Sequence, residues 1–399
     1  MAMGDIVLRK VTKIFGPTPA RLLDQLRAGA SKVDLLVQTG HTIGVRDVSL
    51  TIEAGKCFVV MGLSGSGKST LVRHLNRLIE PTAGEILFDG EDILRLDPEA
   101  LRRFRRDRTS MVFQRFALFP HKTVLENAAY GLNVQARDRA ERRANLEKAR
   151  HWIERVGLAG YEAQYPSQLS GGMQQRVGLA RALATDAEVM LMDEAFSALD
   201  PLIRREMQDQ LIRLQTELHR TIVFITHDLD EALRLGDRIA IMNDGAIEQV
   251  GSGEDILQRP ATEYVARFIE DVNRGRVLTA GTVQLEAVIV GESERPEAVL
   301  ARLQGQALPV AYVADAEGRL AGAVTESMLR GAGPAATLRT LAQPVPTAPA
   351  SLVLERVLPL TLESDLPVAV VDDAGRILGM LPKDRIIATL AAHLPAPRA

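Results

Sequence analysis

The segment Gly62 to Ser69, GLSGSGKS, fits the phosphate-binding pattern G-x-x-x-x-G-K-[ST] at every fixed position. Its glycines let backbone N–H groups turn inward around a phosphate, and the helix that follows such a loop adds the positive end of its dipole. Lys68 would reach the β- and γ-phosphates, and the Ser69 hydroxyl would ligate Mg²⁺. We predict that the following residues bind ATP: Gly62, Leu63, Ser64, Gly65, Ser66, Gly67, Lys68, Ser69 and Thr70.

The residues on either side of this loop are those that a strand–loop–helix unit requires. The apolar run CFVVM at residues 57–61 predicts a short buried strand. After the loop, Leu71, Leu75, Leu78 and Ile79 recur at helical spacing. A glycine-rich turn that occurred by chance would not have both flanks, so we interpret Gly62 to Ser69 as a phosphate loop.

Two further apolar runs end in polar side chains: EVMLMDE at residues 188–194 and TIVFITHD at residues 221–228. Continuous apolar strands are typical of parallel sheets covered on both faces, and such sheets bind ligands beyond the carboxyl ends of their strands. Asp193 would hold Mg²⁺, Glu194 would deprotonate the attacking water, and His227 would hold that water and the γ-phosphate. Solvated charges at a strand end are the alternative interpretation of Asp193 and Glu194.

A second segment, LSGGMQQR at residues 169–176, has the composition of a phosphate-binding loop. At the start of a helix, Ser170, Gly171 and Gly172 could present N–H groups and a hydroxyl to a γ-phosphate. We call residues 169–176 the signature segment. It raises the question of why one chain would need two phosphate-binding loops.

Four motifs in order, GLSGSGKST, LSGGMQQR, VMLMDEAFSALD and ITHD, resemble those of the ATPase subunits of ABC transporters over about residues 5–260. The resemblance implies that two subunits meet head to tail and that each ATP lies between the phosphate loop of one and the signature segment of the other. Ser170, Gly171, Gly172 and Gln174 would thus bind the partner's ATP. Met173 stands where the family most often has glutamine.

The same resemblance assigns three further residues. Gln114 in MVFQ matches the glutamine that touches Mg²⁺ and couples the site to the membrane partner, so the metal would be held by Ser69, Gln114 and Asp193. Asp200 in SALD matches the D-loop residue that faces the other subunit. Phe15 in KIFG matches the position whose aromatic ring stacks on adenine, although the family usually has tyrosine there and a core phenylalanine is the alternative.

Residues 17–42 lie where most such subunits have only a short connection, and we call this segment the 17–42 insertion. Long insertions in compact domains are uncommon and often specialised. This one resembles the insertion in the ATPase subunits of glycine betaine/proline betaine importers, and DEAFSALDPLIRREMQ is similar to that subgroup too.

Membership of that subgroup implies a function and a set of partners. ATP hydrolysis by a homodimer would drive the import of quaternary amines through an integral membrane permease, supplied by an extracytoplasmic substrate-binding protein. The subunit would lie at the cytoplasmic face of the inner membrane. An importer of another small solute, such as an amino acid, is the alternative. A non-transport ABC ATPase would generally carry a coiled-coil insertion or two cassettes, and the sequence has neither.

The composition is that of a globular protein of two or three domains, with 25% charged residues and a net charge of −3 over 399 residues. This charge gives no argument for a nucleic acid partner. The arginine-rich stretches at residues 101–108 and 136–150 are interpreted as solvated helix faces rather than sites for nucleic acid or lipid headgroups. No apolar run approaches the ~18 residues that span a bilayer. The single cysteine, Cys57, is expected to be a buried thiol.

The C-terminal third contains an internal repeat: LPVAYVADAEGRLAGAVT at residues 308–325 and LPVAVVDDAGRILGMLP at residues 366–382. Each copy predicts a strand, an Asp/Gly turn and an antiparallel strand. The pair resembles tandem CBS domains, with repeats near residues 280–330 and 340–390. CBS pairs often bind adenosine nucleotides through a Thr/Ser-x-x-Asp ending, which neither TESM nor LPKD keeps. The tail is expected to inhibit the ATPase at low ionic strength, or alternatively to strengthen dimerisation.

The predicted fold class is therefore α/β. Residues 1–270 would form a P-loop NTPase of the ABC ATPase kind, with a helical subdomain and an N-terminal antiparallel β-subdomain. Residues 271–399 would form a tandem CBS module of the α+β class.

Overall fold

The computed structural model describes residues 5–114, 117–134, 136–197, 199–270, 272–306, 310–333 and 336–391. The chain forms two compact units, Met1–Arg267 and Phe268–Ala399. None of the helices in the described ranges has the length and apolar character that crossing a bilayer requires.

The strands of the first unit are β1 (Ile6–Phe15), β2 (Thr42–Ile52), β3 (Cys57–Met61), β4 (Ala83–Phe88), β5 (Glu91–Asp92), β6 (Thr109–Val112), β7 (Val189–Asp193), β8 (Thr221–Thr226), β9 (Arg238–Asn243) and β10 (Ala246–Gly251). Its helices are α1 (Leu23–Arg27), α2 (Lys32–Thr39), α3 (Lys68–Leu75), α4 (Pro98–Asp107), α5 (Val124–Ala128), α6 (Tyr130–Asn133), α7 (Arg139–Arg155), α8 (Gly171–Ala184), α9 (Pro201–Leu218), α10 (Leu229–Leu235), α11 (Gly253–Gln258) and α12 (Glu263–Phe268). Short 3₁₀ helices occupy Pro19–Leu22, Ile93–Arg95 and Pro166–Gln168.

The central sheet has six strands in the order β10-β9-β3-β8-β7-β6. All neighbours pair in parallel except β10, which runs antiparallel to β9. Every residue of β3, β7 and β8 is buried, as expected for parallel strands covered on both faces. The three buried strands predicted from the sequence are therefore confirmed. Burial also raises the pKa of the Cys57 thiol in β3, which fits an unreactive cysteine.

A second, antiparallel sheet has the strand order β2-β1-β4-β5. Its apolar face shares one hydrophobic core with the central sheet, because Ile6 and Leu8 of β1 pack in the same cluster as Val60 of β3 and Leu191 of β7. This core fixes the position of β1 and β2 relative to the phosphate loop that follows β3.

The 17–42 insertion forms a small helical layer at the end of the antiparallel sheet. Leu22, Leu26 and Leu35 pack with Ile14 of β1 and Ile43 of β2, and all five are buried. Its two ends are held together by His41, which is 6% exposed. A Cβ atom on Gly16 would lie only 2.1 Å from the His41 ring, so that position accepts no side chain.

The helix after the phosphate loop is shorter than its apolar pattern predicted. Helix α3 ends at Leu75, whereas Leu78 and Ile79 follow it. Arg77 adopts a left-handed conformation with φ +52°, which ends the helix, and the His74 ring then binds the Ile79 carbonyl at 2.6 Å. Leu78 is 50% exposed, so the apolar pattern after Leu75 does not mark a continued buried helix face.

The two arginine-rich stretches differ in environment. On α7, Arg139, Arg142 and Arg143 are exposed, as predicted for a solvated helix face. In the stretch at residues 101–108 the prediction is wrong for two side chains. Arg105 donates to the Asn76 carbonyl at 2.9 Å, and Arg108 pairs with Glu188 at 2.7 Å.

The second unit contains the strands β11 (Val288–Gly291), β12 (Val310–Ala314), β13 (Leu320–Thr325), β14 (Thr347–Pro349), β15 (Val368–Val371) and β16 (Ile377–Leu381). Its helices are α13 (Ala280–Val283), α14 (Pro296–Gln306), α15 (Glu326–Arg330), α16 (Leu338–Leu341), α17 (Leu354–Val357) and α18 (Lys383–Ala391). Short 3₁₀ helices occupy Arg274–Arg276 and Leu358–Leu362.

The strands of the second unit form two three-stranded sheets of the same design, β11-β12-β13 and β14-β15-β16. In each, the first two strands are parallel and the last two form an antiparallel hairpin. Both predicted hairpins are confirmed. The turn of each is closed by a backbone hydrogen bond of 3.0 Å, from Gly318 N–H to the Asp315 carbonyl in the first and from Gly375 N–H to the Asp372 carbonyl in the second. The assignment of this unit as a tandem CBS pair stays a prediction.

The two repeats share a hydrophobic core centred on Tyr312. Its ring packs with Ala369, Ile377 and Met380 of the second repeat, and its hydroxyl donates to the Pro367 carbonyl at 2.9 Å. Burial raises the pKa of Tyr312, so the hydroxyl stays a hydrogen-bond donor. A cavity of about 510 Å³ also lies between the repeats, lined by Thr325 of the first and by Lys383 and Asp384 of the second among other residues.

Candidate functional site

The central sheet brings three groups of predicted site residues to one edge. Met61 at the end of β3 pairs with Thr226 of β8, and Asp193 at the end of β7 pairs with Ile225 of β8. Because these strands are parallel, their carboxyl ends meet. The phosphate loop, the carboxylates Asp193 and Glu194, and His227 all follow directly from these ends.

The phosphate loop takes its shape from close backbone contacts that only glycine permits. A Cβ atom on Gly62 would lie 2.2 Å from the Met242 carbonyl oxygen, and one on Gly67 would lie 2.1 Å from the Gly44 carbonyl oxygen. Both glycines have positive φ angles, of +150° and +101°. The loop is thus pressed against β9 on one side and β2 on the other. Gly65, with φ +80°, faces open space.

Lys68 is only 5% exposed, and its ammonium donates to the Gly62 carbonyl at 2.7 Å and to the Leu63 carbonyl at 3.0 Å. Burial lowers the pKa of Lys68, while the charges of Glu194 and Asp193 oppose that shift. The buried hydroxyl of Ser66 has no hydrogen-bond partner in the described part of the chain. A buried cation and an unpaired hydroxyl in one loop fit a polyphosphate, which supplies both negative charge and acceptor oxygens.

Asp193 lies at the centre of a polar cluster and is 3% exposed. The Ser69 hydroxyl donates to its Oδ1 at 2.8 Å, and Arg73 donates to its Oδ2 at 3.1 Å. A hydroxyl beside a carboxylate suits Mg²⁺, which usually binds one or two protein oxygens and completes its shell with water and phosphate. In the described ranges no three His, Cys, Asp or Glu side chains could hold a metal ion by themselves.

Glu194 is contacted by two of the other predicted residues. The Gln114 side-chain amide donates to its Oε2 at 2.9 Å, and His227 Nδ1 lies 3.6 Å from the same oxygen. Glu194 adopts a left-handed conformation with φ +45°, which is uncommon for a residue with a side chain and often occurs at functional sites. The structure thus brings Gln114, Glu194 and His227 together.

Phe15 is 39% exposed, so it is not a core residue. Its ring lies against Gly44, where an added Cβ atom would be 2.6 Å from the ring, and the Lys13 ammonium lies 5.1 Å from the ring centroid. The methyl group of Thr70 is 3.2 Å from the same Gly44 Cβ position. An exposed aromatic ring beside the phosphate loop fits a base-stacking role.

In the signature segment, Ser170 and Gln174 make hydrogen bonds to residues close by in the chain, whereas Arg176 binds the Val156 carbonyl and Glu206. Ser170 caps α8 by accepting from Met173 N–H at 3.3 Å. The Gln174 amide donates to the carbonyls of Pro166 and Leu169, so it braces the preceding turn. Asp200 likewise caps α9 by accepting from Leu202 and Ile203 N–H groups. No hydrogen bond joins these residues to the phosphate loop among the described residues.

Sequence reasoning missed Arg73, which binds the same carboxylate as Ser69. A signal was present, because Ser69 and Arg73 are four residues apart on α3 and so lie on one helix face. With Arg73 included, the geometry defines a nucleotide-binding domain of the phosphate-loop class.

Comparisons with known proteins agree with this class. Residues 45–197 match the family described as ABC transporter. The glycine betaine transport ATP-binding protein OpuAA of Bacillus subtilis (strain 168) is 46% identical over 390 residues, which cover 97% of this chain and 93% of that protein. The glycine betaine/proline betaine transport system ATP-binding protein ProV of Escherichia coli (strain K12) is 49% identical over 329 residues, 82% of each chain.

Among solved structures, the dimeric post-hydrolysis state of an ATP-binding cassette bound to ADP and Pi superposes with a TM-score of 0.51. It is 32% identical and covers 62% of this chain and 98% of that one. The chain therefore belongs to the ATP-binding subunits of ABC transporters. The two relatives named above are ATP-binding proteins of glycine betaine transport. Subunits of this family bind and hydrolyse ATP, so the chain is an ATPase, as the motifs predicted.

The two loop glycines Gly67 and Gly65 allow a matched test of the phosphate loop. Gly67→Ala places a Cβ atom against the Gly44 carbonyl oxygen, so the loop must move, and we expect ATP to bind about tenfold or more weakly. Gly65→Ala meets only the left-handed backbone penalty of about 1–2 kcal/mol and should have a smaller effect. Titration with a fluorescent ATP analogue measures both. Equal losses in the two variants would contradict this account of the loop.

Proposed function

We propose that this chain is the ATPase of an importer for quaternary amine solutes such as glycine betaine, proline betaine and choline. The observation that carries the proposal is the extent of the match to the Bacillus subtilis glycine betaine protein, which covers 97% of this chain. A match of that extent includes the 17–42 insertion and the second unit, which a shared ATPase core alone would not require. An importer of another small solute, such as an amino acid, is the alternative.

The proposal includes the assembly in which the chain works. Two copies would form a head-to-tail dimer on an integral membrane permease, at the cytoplasmic face of the inner membrane. A substrate-binding protein outside the membrane would deliver the solute to the permease. The dimeric cassette among the similar structures supports the dimer.

In this assignment the adenine of ATP stacks on Phe15 and the phosphates lie in the phosphate loop. Lys68 would exchange its contacts with the Gly62 and Leu63 carbonyls for β- and γ-phosphate oxygens, and Ser66 would gain a partner. The exchange is favourable because a buried ammonium gains a full opposite charge in place of two neutral carbonyls.

Ser69, Asp193 and Gln114 would hold Mg²⁺ together with water and phosphate oxygens. Bound there, the metal neutralises charge that develops on the transferring phosphoryl group. Asp193 is already oriented by Ser69 and Arg73, so little reorganisation is needed for its carboxylate to face the metal.

Glu194 would act as the general base that takes a proton from the attacking water. His227, with its Nδ1 atom 3.6 Å from that carboxylate, is close enough to hold the same water and the γ-phosphate. Gln114 donates to Glu194 at 2.9 Å, so the residue that would couple the site to the permease contacts the proposed base directly.

The signature segment would complete the ATP site of the other copy. Ser170, Gly171 and Gly172 stand at the start of α8, a helix of fourteen residues, where N–H groups remain free for an anion. The Gln174 amide already donates to two carbonyls in the turn before the helix, so its role would be to stabilise the conformation of the segment. Asp200, exposed at the start of α9, would face the partner.

The second unit would regulate the ATPase as a tandem CBS module. Its surface carries charges of both signs, as in the pairs Arg302–Glu294 and Arg319–Asp315. A docking contact made by such charges would weaken as salt rises, because the Debye length falls from about 10 Å at 0.1 M to about 3 Å at 1 M.

We expect Glu194→Gln to bind ATP but to hydrolyse it on the order of a hundredfold or more slowly, the range for a lost general base. In vesicles that contain the permease and the binding protein, ATP-driven uptake of radiolabelled glycine betaine should fall equally. Glu188→Gln, at the other end of the same strand, is the matched control and should keep both activities.

Two results separate the parts of this proposal. Near-normal hydrolysis by Glu194→Gln removes Glu194 from the mechanism. Wild-type vesicles that import an amino acid but no quaternary amine would show that the substrate proposal is wrong while the ATPase assignment stands.

The composite site predicts complementation between two inactive variants. Ser170→Arg blocks the partner's γ-phosphate and Lys68→Ala disables the chain's own loop, so each homodimer should be inactive. A mixed dimer keeps one intact site and should regain ATPase activity. Ser252→Arg, which removes an equivalent cap from α11, controls for the loss of a helix cap. Absence of recovery in a mixture shown to form heterodimers would refute the head-to-tail arrangement.

If the second unit inhibits at low ionic strength, a chain that ends at Arg267 should transport at the same rate in low and high salt. The full-length chain should be slow in low salt and faster in high salt. Uptake by permease-containing vesicles over 0.1–1 M salt, the range in which the Debye length shortens about threefold, measures this. Equal salt responses of the two chains would leave dimerisation as the role of the second unit.

A further inference from the structure

Lys32 of the 17–42 insertion contacts the phosphate loop. The Lys32 ammonium donates to the Gly65 carbonyl at 3.1 Å and lies 3.7 Å from the Asp244 carboxylate in the turn between β9 and β10. The side chain is 27% exposed. One lysine of the insertion therefore joins α2 to the loop that would bind ATP and to the turn beside it.

The position of Lys32 is fixed by packing within the insertion. Leu35, three residues later and on the same side of α2, is 1% exposed in the cluster that also contains Leu22 and Leu26. Ser31 caps the helix by accepting from Asp34 N–H at 3.0 Å. The buried His41 ring accepts a hydrogen bond from Thr18 N–H at 3.4 Å, which joins the two ends of the insertion. The lysine is thus presented to the loop by a supported helix.

Gly65 has more open space around it than the loop glycines Gly62 and Gly67. Where Gly62 and Gly67 are pressed against neighbouring carbonyls, a Cβ atom on Gly65 would meet nothing within 4 Å. The peptide unit after Gly65 is held on one side by the hydrogen bond from Ser66 N–H to the Leu63 carbonyl at 3.2 Å. The Lys32 ammonium binds the carbonyl on the other side of the same unit, so the two contacts together restrain its rotation at a residue whose φ angle is +80°.

We propose that Lys32 is a positioning residue of the ATP site, and that the 17–42 insertion is thereby part of that site. Lys32 holds the Gly65 peptide in the conformation that binds phosphate and adds a cation beside the loop, in addition to Lys68. Its ligand class is a nucleoside di- or triphosphate. The inference rests on the assignment of the phosphate loop proposed above.

The test is the affinity of full-length Lys32→Gln for nucleotides, measured by calorimetry without Mg²⁺. We expect the dissociation constants of ATP and ADP to rise about three- to tenfold, the range for the loss of one ordinary hydrogen bond. Lys32→Arg, which keeps the charge and can still donate, should restore most of the affinity. Arg27→Gln makes the same charge change in the same insertion at an exposed residue paired only with Asp24, and should bind as the wild type does.

A second readout separates positioning from general stability. In the absence of nucleotide, amide hydrogen exchange of the peptide that contains Gly65 should be faster in Lys32→Gln, while peptides from β7 and β8 should be unchanged. A wild-type affinity for ATP in Lys32→Gln overturns the proposal, as does an equal loss in Arg27→Gln. Lys68→Ala distinguishes the underlying assignment: if that variant also binds ATP normally, the phosphate loop itself has been assigned wrongly.

Discussion

Two opposite charges, on Lys68 and Asp193, lie where water scarcely reaches them, with 5% and 3% of their surfaces exposed. A buried charge is tolerated only when other groups compensate it. Here the carboxylates Asp193 and Glu194 support the ammonium of Lys68, and Ser69 and Arg73 bind Asp193. These groups come from β3 and β7, which are separated in the sheet by β8. The strand order of the central sheet is therefore what makes the charge balance possible, and the rest of the site is built around it.

The core of the site could be predicted from the sequence because the residues that form each part of it are close together in the chain. The phosphate loop and the polar residues after β7 and β8 each lie within a few residues of a strand end, and parallel strands bring those ends together. Arg73 was also within reach of such reasoning, through its helical spacing from Ser69. The contact of Lys32 with Gly65 was not, since it depends on how Leu35 and its neighbours pack an inserted segment against β1 and β2.

Other differences between the predictions and the structure also come from features that a sequence pattern does not reveal. Leu78 and Ile79 continue an apolar pattern after the helix has ended, because periodicity does not reveal the left-handed Arg77. Arg105 and Arg108 resemble solvated charges in the sequence, yet each finds a partner distant in the chain. In the second unit the repeat predicted both hairpins, whereas one contact between them comes from a departure from the repeat. Tyr312 stands where the second copy has Val370, and its hydroxyl reaches Pro367 of that copy.

The contact between Gln114 and Glu194 bears on how the protein could limit ATP hydrolysis that is not coupled to transport. The Gln114 amide occupies one side of Glu194 Oε2, so a water molecule cannot take the same position while this hydrogen bond is made. In the proposed assignment, a movement of Gln114 with the permease would free that position for the attacking water. ATP hydrolysis would then be slow while the permease has no solute to move, and the rate of ATP consumption would follow the rate of transport.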